Sequence, residues 1–148
     1  MAGRKKETTI QVTGGNGKAL SVYILATVLW MVAIAWLSLV PAPPDLGGVF
    51  GWDKLQHAVA YAVLTFLTGR VFSAISPRPL RAWGGALLFA ITLGFGLEVA
   101  QELFTIGRRG DPADILANSL GALAGCVSGH FTLRRRRGDA GDRLDSEV

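Results

Sequence analysis

Long apolar runs are the feature that most constrains what this chain can fold into. A helix that crosses about 30 Å of hydrocarbon needs roughly 20 mainly apolar residues. Residues 19–40 form a run of 22 residues with no charged side chain, and a cluster of prolines ends it. Further mainly apolar runs cover residues 55–75, 82–104 and 113–133. We therefore predict an all-α integral membrane bundle of four transmembrane helices over these four ranges.

The composition agrees with this class and excludes others. Hydrophobic residues make up 50% of the chain and charged residues 18%, which argues against intrinsic disorder. Cys126 is the only cysteine, so no disulfide can form within the chain. The net charge of +4 could indicate nucleic acid, but residues 134–137 are four arginines directly after the last apolar run. That position favours a membrane anchor, so we expect membrane lipid and no nucleic acid as a partner.

The first apolar run has two interpretations. Basic residues precede it, as they precede the apolar core of a signal peptide, but such a core is normally only about 7–15 residues long. The greater length favours a retained helix. The expected organisation is a basic, glycine-rich leader over 1–18, a membrane domain over 19–133, and a basic and then polar, disordered tail over 134–148.

The distribution of lysine and arginine predicts the orientation of the bundle, because cytoplasmic loops carry more of them. With the N-terminus inside, 12 of these residues lie on the cytoplasmic side and three on the other. The three are Lys54, Arg108 and Arg109. Both termini are therefore expected in the cytoplasm, with the loops near 41–54 and 105–113 outside. Tyr23 and Trp83 near inner helix ends suit an aromatic belt at the membrane surface.

The start of the second run carries the first of three polar groups. Asp53, His57 and Tyr61 are spaced i, i+4 and i+8, so they share one stripe of a helix, and Lys54 lies beside them. Asp53 could raise the proton affinity of His57 and make it an acid, a base or a ligand. The alternative is that Asp53 caps the helix and His57 is an interfacial polar residue.

The second polar group lies near the end of the third run. Glu98, Gln101 and Glu102 are spaced i, i+3 and i+4 and share one helix face. Ionisable groups inside membrane spans are costly and usually face the bundle interior or a water-filled cavity. Glu98 is equally compatible with a chemical role and with a structural one, in which it pairs with an arginine of a neighbouring loop.

The third polar group surrounds the start of the fourth run. Pro112 suits the first helical position and Asp111 the capping position before it, while Asp114 favours the helix dipole. Capping explains Asp111 well but does not explain Asn118, which lies one turn deeper than Asp114. Together Asp114 and Asn118 predict the lining of an inward-facing pocket.

Because neighbouring helices are expected to be antiparallel, the three polar groups should lie at the same depth in the membrane. The second and fourth runs begin outside and the third ends there, so we predict one shared polar pocket near the outer leaflet. Gly121, Gly125 and Gly129 form a small-residue ridge that permits close helix contact. Carboxylates with a histidine could hold a divalent metal, but the spacing matches no standard motif, so we expect neither metal nor cofactor.

Three stretches of the sequence together resemble the VanZ-like family of small bacterial membrane proteins. They are "DKLQHAVAYAVL" at 53–64, "GLEVAQELF" at 96–104 and "GRRGDPADILANSLGALAG" at 107–125. Spacing favours Arg108 over Arg109 as the arginine of this pattern. The positions that match are Asp53, Lys54, His57, Tyr61, Glu98, Gln101, Arg108, Asp111, Asp114, Asn118 and Gly121.

The resemblance implies a multi-pass protein of the bacterial cytoplasmic membrane, linked to the cell envelope. The family is named for a protein associated with low-level resistance to the glycopeptide teicoplanin. A link to glycopeptide resistance, or to the handling of envelope lipid or glycan, is therefore expected. The resemblance implies no particular reaction, substrate or oligomeric state.

Two hypotheses of different classes follow. In the first, an outward-facing polar pocket binds an extracytoplasmic ligand. In the second, the protein is a membrane-embedded enzyme in which Glu98, His57 or Asp114 acts as acid, base or metal ligand, while Arg108 and Lys54 hold an anionic group such as a lipid phosphate. A transporter would need polar groups along its whole path, and the apolar inner halves of the spans count against it.

Overall fold

In the computed structural model, the described part of the chain folds into four helices. The structure describes residues 14–40, 53–105 and 110–145. The helices are α1 (Gly14–Leu39), α2 (Asp53–Ile75), α3 (Pro79–Phe104) and α4 (Pro112–Asp145). Within these three ranges there is no β-strand. The prediction of an all-helical protein with helices over these four runs is confirmed, and the leader over 1–13 lies outside the described residues.

The helix ends follow local chemistry. Arg78 has an extended backbone (φ −100°, ψ 104°), because a residue before proline avoids the helical region, and Pro79 then begins α3. At the other end, the backbone N–H of Thr105 donates to the carbonyl of Gln101 and closes the last turn. α3 therefore begins three residues before the predicted start at residue 82.

α4 extends beyond its predicted end. It continues through the four arginines at 134–137 to Asp145, where the sequence analysis expects a disordered tail. The physical reason lies in the cost of starting a helix: a helix that is already formed extends without a new nucleation step. Arginine, leucine and alanine are also good helix formers.

The distribution of side chains is that of a membrane protein. Among the described residues, three helices are long and apolar enough to cross a membrane, namely Gly17–Leu39, Asp53–Ile75 and Pro79–Phe104, and α4 is not one of them. Large apolar side chains such as Val22, Trp36, Leu88 and Phe131 are exposed. A soluble protein rarely exposes so much apolar surface. The structure thus supports a membrane-associated helical protein.

Small residues set the packing of α4. A Cβ at Gly121 would overlap the Ala58 carbonyl, and one at Gly125 would overlap the Ala62 carbonyl, so the α4 backbone lies directly against α2. This confirms the predicted packing role of the glycine ridge. Trp83 fills the space left by Gly129 and is fully buried. Its assignment to a surface aromatic belt is therefore wrong, because the inner face of α3 offers that space and the lipid face does not.

The other contacts between helices show which helices are neighbours. α2 packs against each of the other three helices, whereas α1 and α4 do not touch within the described residues. Trp30 of α1 donates its indole N–H to the Ala60 carbonyl of α2 at 2.9 Å. Ile34, Tyr61 and Leu64 belong to the apolar core between the helices. Neighbouring helices run antiparallel, so the end of α1, the start of α2, the end of α3 and the start of α4 lie together.

Candidate functional site

Polar side chains from α2, α3 and α4 meet at this end of the bundle. Each of the three polar groups of the sequence contributes, as the antiparallel arrangement predicts. We call this set the polar cluster. Its members are Asp53, Lys54, His57, Glu98, Gln101, Asp111, Asp114 and Asn118.

Lys54 lies at the centre of the polar cluster. Its ammonium donates to Asp111 Oδ2 at 2.5 Å and to Asp114 Oδ1, and it lies 3.6 Å from Asp53 Oδ2. Two of its three N–H donors are therefore used by carboxylates of this chain. The second hypothesis needs Lys54 to hold an anionic group, and in this arrangement its charge is already shared among three aspartates.

His57 is held in one orientation by Asn118. The His57 Nδ1 atom lies 3.0 Å from the side-chain oxygen of Asn118. An amide oxygen only accepts, so Nδ1 carries the proton and Nε2 is left as the acceptor in the neutral ring. Nε2 faces Asp53 Oδ1 at 3.7 Å and Asp114 Oδ2 at 3.8 Å. The i, i+4 stripe predicted for Asp53 and His57 is thus present, and α4 completes it.

Asp111 caps α4. Its Oδ1 accepts from the backbone N–H of Ala113 at 2.8 Å, and Pro112 is the first helical residue. The capping role predicted for Asp111 is confirmed. Its other oxygen binds Lys54. The hydrogen bond from Lys54, followed by that from the Ala113 backbone, holds the pKa of the Asp111 carboxyl below its usual value.

Two glutamates of α3 hold the backbone before α4. Glu98 accepts from the Asp111 backbone N–H at 3.2 Å, and Glu102 accepts from the Gly110 backbone N–H at 2.9 Å. Gly110 also packs closely on α3, since a Cβ there would lie 2.9 Å from the Glu98 carbonyl oxygen. The structural role predicted for Glu98 is pairing with an arginine of a neighbouring loop. Among the described residues, Glu98 instead binds the backbone N–H of Asp111 in the segment before α4.

Gln101 and Tyr61 connect the polar cluster to the rest of the bundle. Gln101 donates from Nε2 to the Ser38 carbonyl of α1 at 2.7 Å. Tyr61 is buried one turn below His57, and its ring would lie 3.0 Å from a Cβ at Gly94. The Nδ2 group of buried Asn118 faces the same glycine and has no hydrogen-bond partner among the described residues. These contacts place α1 and α3 around the polar cluster.

Two contacts around the polar cluster are not predicted from the sequence. Ser38 takes part through its backbone carbonyl, which leaves no signal in the sequence. Glu102 is predicted to share a helix face with Glu98, but its hydrogen bond to the Gly110 backbone is not predicted. Arg108, which is predicted to hold an anionic group together with Lys54, and its neighbour Arg109 lie outside the described residues.

Three atoms of the polar cluster that could serve as metal ligands lie close together. The atoms come from Asp53, His57 and Asp114 and lie within 4.8 Å of one another. A nitrogen and two carboxylate oxygens can bind a proton, an ammonium group or a metal ion. The aspartates around them outnumber the one lysine, so the described part of the polar cluster favours a ligand that brings positive charge or hydrogen-bond donors.

Comparisons of the chain with family models, curated proteins and solved structures find no match.

Proposed function

We propose that the protein is a multi-pass membrane protein of the bacterial cell envelope, of the VanZ-like type, whose polar cluster faces the extracytoplasmic side and binds a ligand there. In this proposal α4 is the fourth span and both termini are cytoplasmic. The observation that carries the proposal is the convergence of three separated sequence blocks at one end of a bundle with an apolar exterior. These are the same blocks on which the family resemblance depends.

The accessible carboxylates favour a donor-rich ligand. The side chains of Asp53 and Asp111 are 54% and 47% exposed, whereas that of Asp114 is 8% exposed. A ligand that approaches from outside therefore meets hydrogen-bond acceptors first. Hydroxyl and ammonium groups, as found on envelope glycans and on glycopeptides, are complementary to such a surface. The resemblance implies teicoplanin as the first ligand to test.

The test of the proposal combines binding with susceptibility. The full chain in nanodiscs should bind teicoplanin, and its expression in a teicoplanin-susceptible bacterium should raise the minimum inhibitory concentration. Asp53→Asn and Asp111→Asn should each weaken binding in a graded way, because each removes one accessible charge. His130→Gln is the matched control, since His130 lies 16 residues beyond Asp114 along α4, away from the polar cluster. Absence of both binding and a change in susceptibility would reject teicoplanin as the ligand.

An enzyme acting on a lipid-linked or phosphate-bearing envelope substrate is the second candidate. It is favoured by the fixed imidazole of His57, whose free nitrogen faces the carboxylate of buried Asp114. Substitutions Glu98→Gln, His57→Ala and Asp114→Asn would abolish turnover but leave ligand binding partly intact. All three should still be recovered from the membrane fraction, because each position lies near a helix end. Loss of insertion in all three would mean that the polar cluster serves only the fold.

A further inference from the structure

We propose that Asp53, His57 and Asp114 form a binding site for one divalent transition-metal ion, with Zn²⁺ or Mn²⁺ as the matching class. The site would use His57 Nε2, Asp53 Oδ1 and Asp114 Oδ2 as ligand atoms. Imidazole nitrogen and carboxylate oxygen are both common ligands of these ions, and three protein ligands with a further position open to water or substrate are typical of catalytic zinc sites. This inference goes beyond the proposed function and does not depend on the identity of any envelope ligand.

The first argument is that three acceptors face one another. With the proton of the neutral ring on Nδ1, His57 Nε2 presents a lone pair to the two carboxylate oxygens. The separations of 3.7 and 3.8 Å are too long for hydrogen bonds. With the ring in this neutral form the three acceptors repel one another, and a cation between them removes that repulsion. Asp114, whose side chain is only 8% exposed, cannot turn to solvent instead.

The separations also fit a metal. A tetrahedral ion with bonds of about 2.1 Å places its ligand atoms about 3.4 Å apart. The two distances from His57 Nε2 exceed that value by only a few tenths of an ångström. The third pair, Asp53 and Asp114, lies within 4.8 Å. Asp53 is more than half exposed and is free to close this gap.

The second argument comes from the groups that support the ligands. A histidine that binds a metal almost always donates its other N–H to an oxygen, and ligating carboxylates are hydrogen-bonded in turn. Asn118 supplies that oxygen from a side chain that is 2% exposed, and its Nδ2 has no partner among the described residues. Lys54 binds the remaining oxygen of Asp114. The hydrogen bond between His57 and Asn118 therefore supports His57 as a metal ligand by an argument that does not use the carboxylates.

The charge balance permits a cation despite the neighbouring lysine. Lys54 binds Asp114 Oδ1 and lies 3.6 Å from Asp53 Oδ2. The oxygens of these two aspartates that face His57 are the other ones. Asp111 contributes another negative charge beside the ammonium. Within the described residues, the three aspartates therefore retain an excess of negative charge over Lys54 that a divalent ion would neutralise.

The test measures metal binding directly, with no envelope ligand present. Full-length protein in nanodiscs is stripped with a chelator and titrated with Zn²⁺ by calorimetry and with Mn²⁺ by electron paramagnetic resonance. We expect one ion per chain in the wild type and in the control His130→Gln. His57→Ala should abolish binding, and Asn118→Ala should weaken it by about tenfold to a hundredfold. Excess Mg²⁺ should not displace Zn²⁺, because an imidazole ligand disfavours it.

Several outcomes would overturn the proposal. Equal Zn²⁺ affinity of the wild type and His57→Ala would remove His57 from the site. Displacement of Zn²⁺ by Mg²⁺ would indicate a site of carboxylates without a histidine, and absence of Zn²⁺ and Mn²⁺ binding would reject the metal site. If His57→Ala does not fold, as judged by circular dichroism, the exposed Asp53→Asn variant takes its place. If the wild type binds teicoplanin but neither Zn²⁺ nor Mn²⁺, the metal site is rejected and the proposed function remains.

Discussion

At the scale of single residues, the polar cluster depends on which partner each oxygen of Asp53 and Asp114 contacts. Asp114 binds Lys54 with one oxygen and turns the other toward His57. Asp53 has the same arrangement, with one oxygen 3.6 Å from the Lys54 ammonium and the other 3.7 Å from His57 Nε2. Lys54 thereby compensates charge that would be costly to bury alone, since removing one partner of a buried ion pair typically costs about 3–5 kcal/mol. The same division leaves one oxygen of each aspartate available for a cation.

The pH response of Asp111 follows from its contact with Lys54. Because its pKa is lowered in the folded protein, its ionised form adds stability above the usual aspartate pKa of about 3.9. That contribution is lost as the pH falls through the lowered value. We expect Lys54→Met to move the pKa of Asp111 up toward the usual value, as followed by the carboxyl carbon signal in an NMR titration. Lys18→Met, an exposed change in α1, is the control. An identical Asp111 titration in Lys54→Met and the wild type would contradict the ion pair.

At the scale of helices, the position of α4 is decided by its glycines. The backbone of α4 lies against the carbonyls of Ala58 and Ala62 because Gly121 and Gly125 have no side chain. This close approach brings Asp114 and Asn118 within reach of Lys54 and His57. The packing surface and the polar cluster therefore share one helix register.

A pair of glycine substitutions tests that register. Gly121→Ala should lower the free energy of unfolding by about 1–3 kcal/mol, because the added methyl group meets backbone that cannot move aside. Gly96→Ala is the matched control: a Cβ there has no neighbour within 4 Å, and alanine is the better helix former. The measurement is equilibrium unfolding in detergent micelles. Equal stabilities of the two variants would mean that α2 and α4 are not in direct backbone contact.

At the scale of the whole molecule, the arrangement is apolar outside and polar at one end of its interior. Exposed side chains such as Leu25, Leu88 and Leu123 suit a lipid environment, whereas Thr65, Gln101 and Asn118 are buried. This reverses the order found in soluble proteins. The polar cluster lies at the helix ends and not in the middle of the bundle, so helices that span a membrane would place it near one membrane surface.

Cysteine labelling tests which surface that is. In a Cys126→Ala background, Asp53→Cys and Arg78→Cys place single thiols at exposed positions near opposite ends of α2. An impermeant maleimide added to intact cells should label Asp53→Cys and leave Arg78→Cys unlabelled until the membrane is opened, because the excess of lysine and arginine lies on the Arg78 side. The reverse pattern would place the polar cluster in the cytoplasm and end the proposal of an extracytoplasmic ligand.

The sequence alone was sufficient for the helices and for the level at which their polar groups meet. The free energy of placing apolar side chains in hydrocarbon accumulates residue by residue, so the long runs predict helices without knowledge of their neighbours. Antiparallel neighbours then bring the start of α2, the end of α3 and the start of α4 to one level. The burial of Trp83 shows where this reasoning stops, because hydropathy does not tell which face of an apolar helix is turned inward.

Only the tertiary structure decided the partners within the polar cluster. Lys54 binds Asp111 and Asp114, which lie 57 and 60 positions away along the chain, and His57 binds Asn118. These pairs depend on the rotation and register of α2 against α4, which are set by backbone contact at Gly121 and Gly125. Such contacts act between helices that are distant in sequence, so no local pattern of residues can predict which oxygen faces which nitrogen.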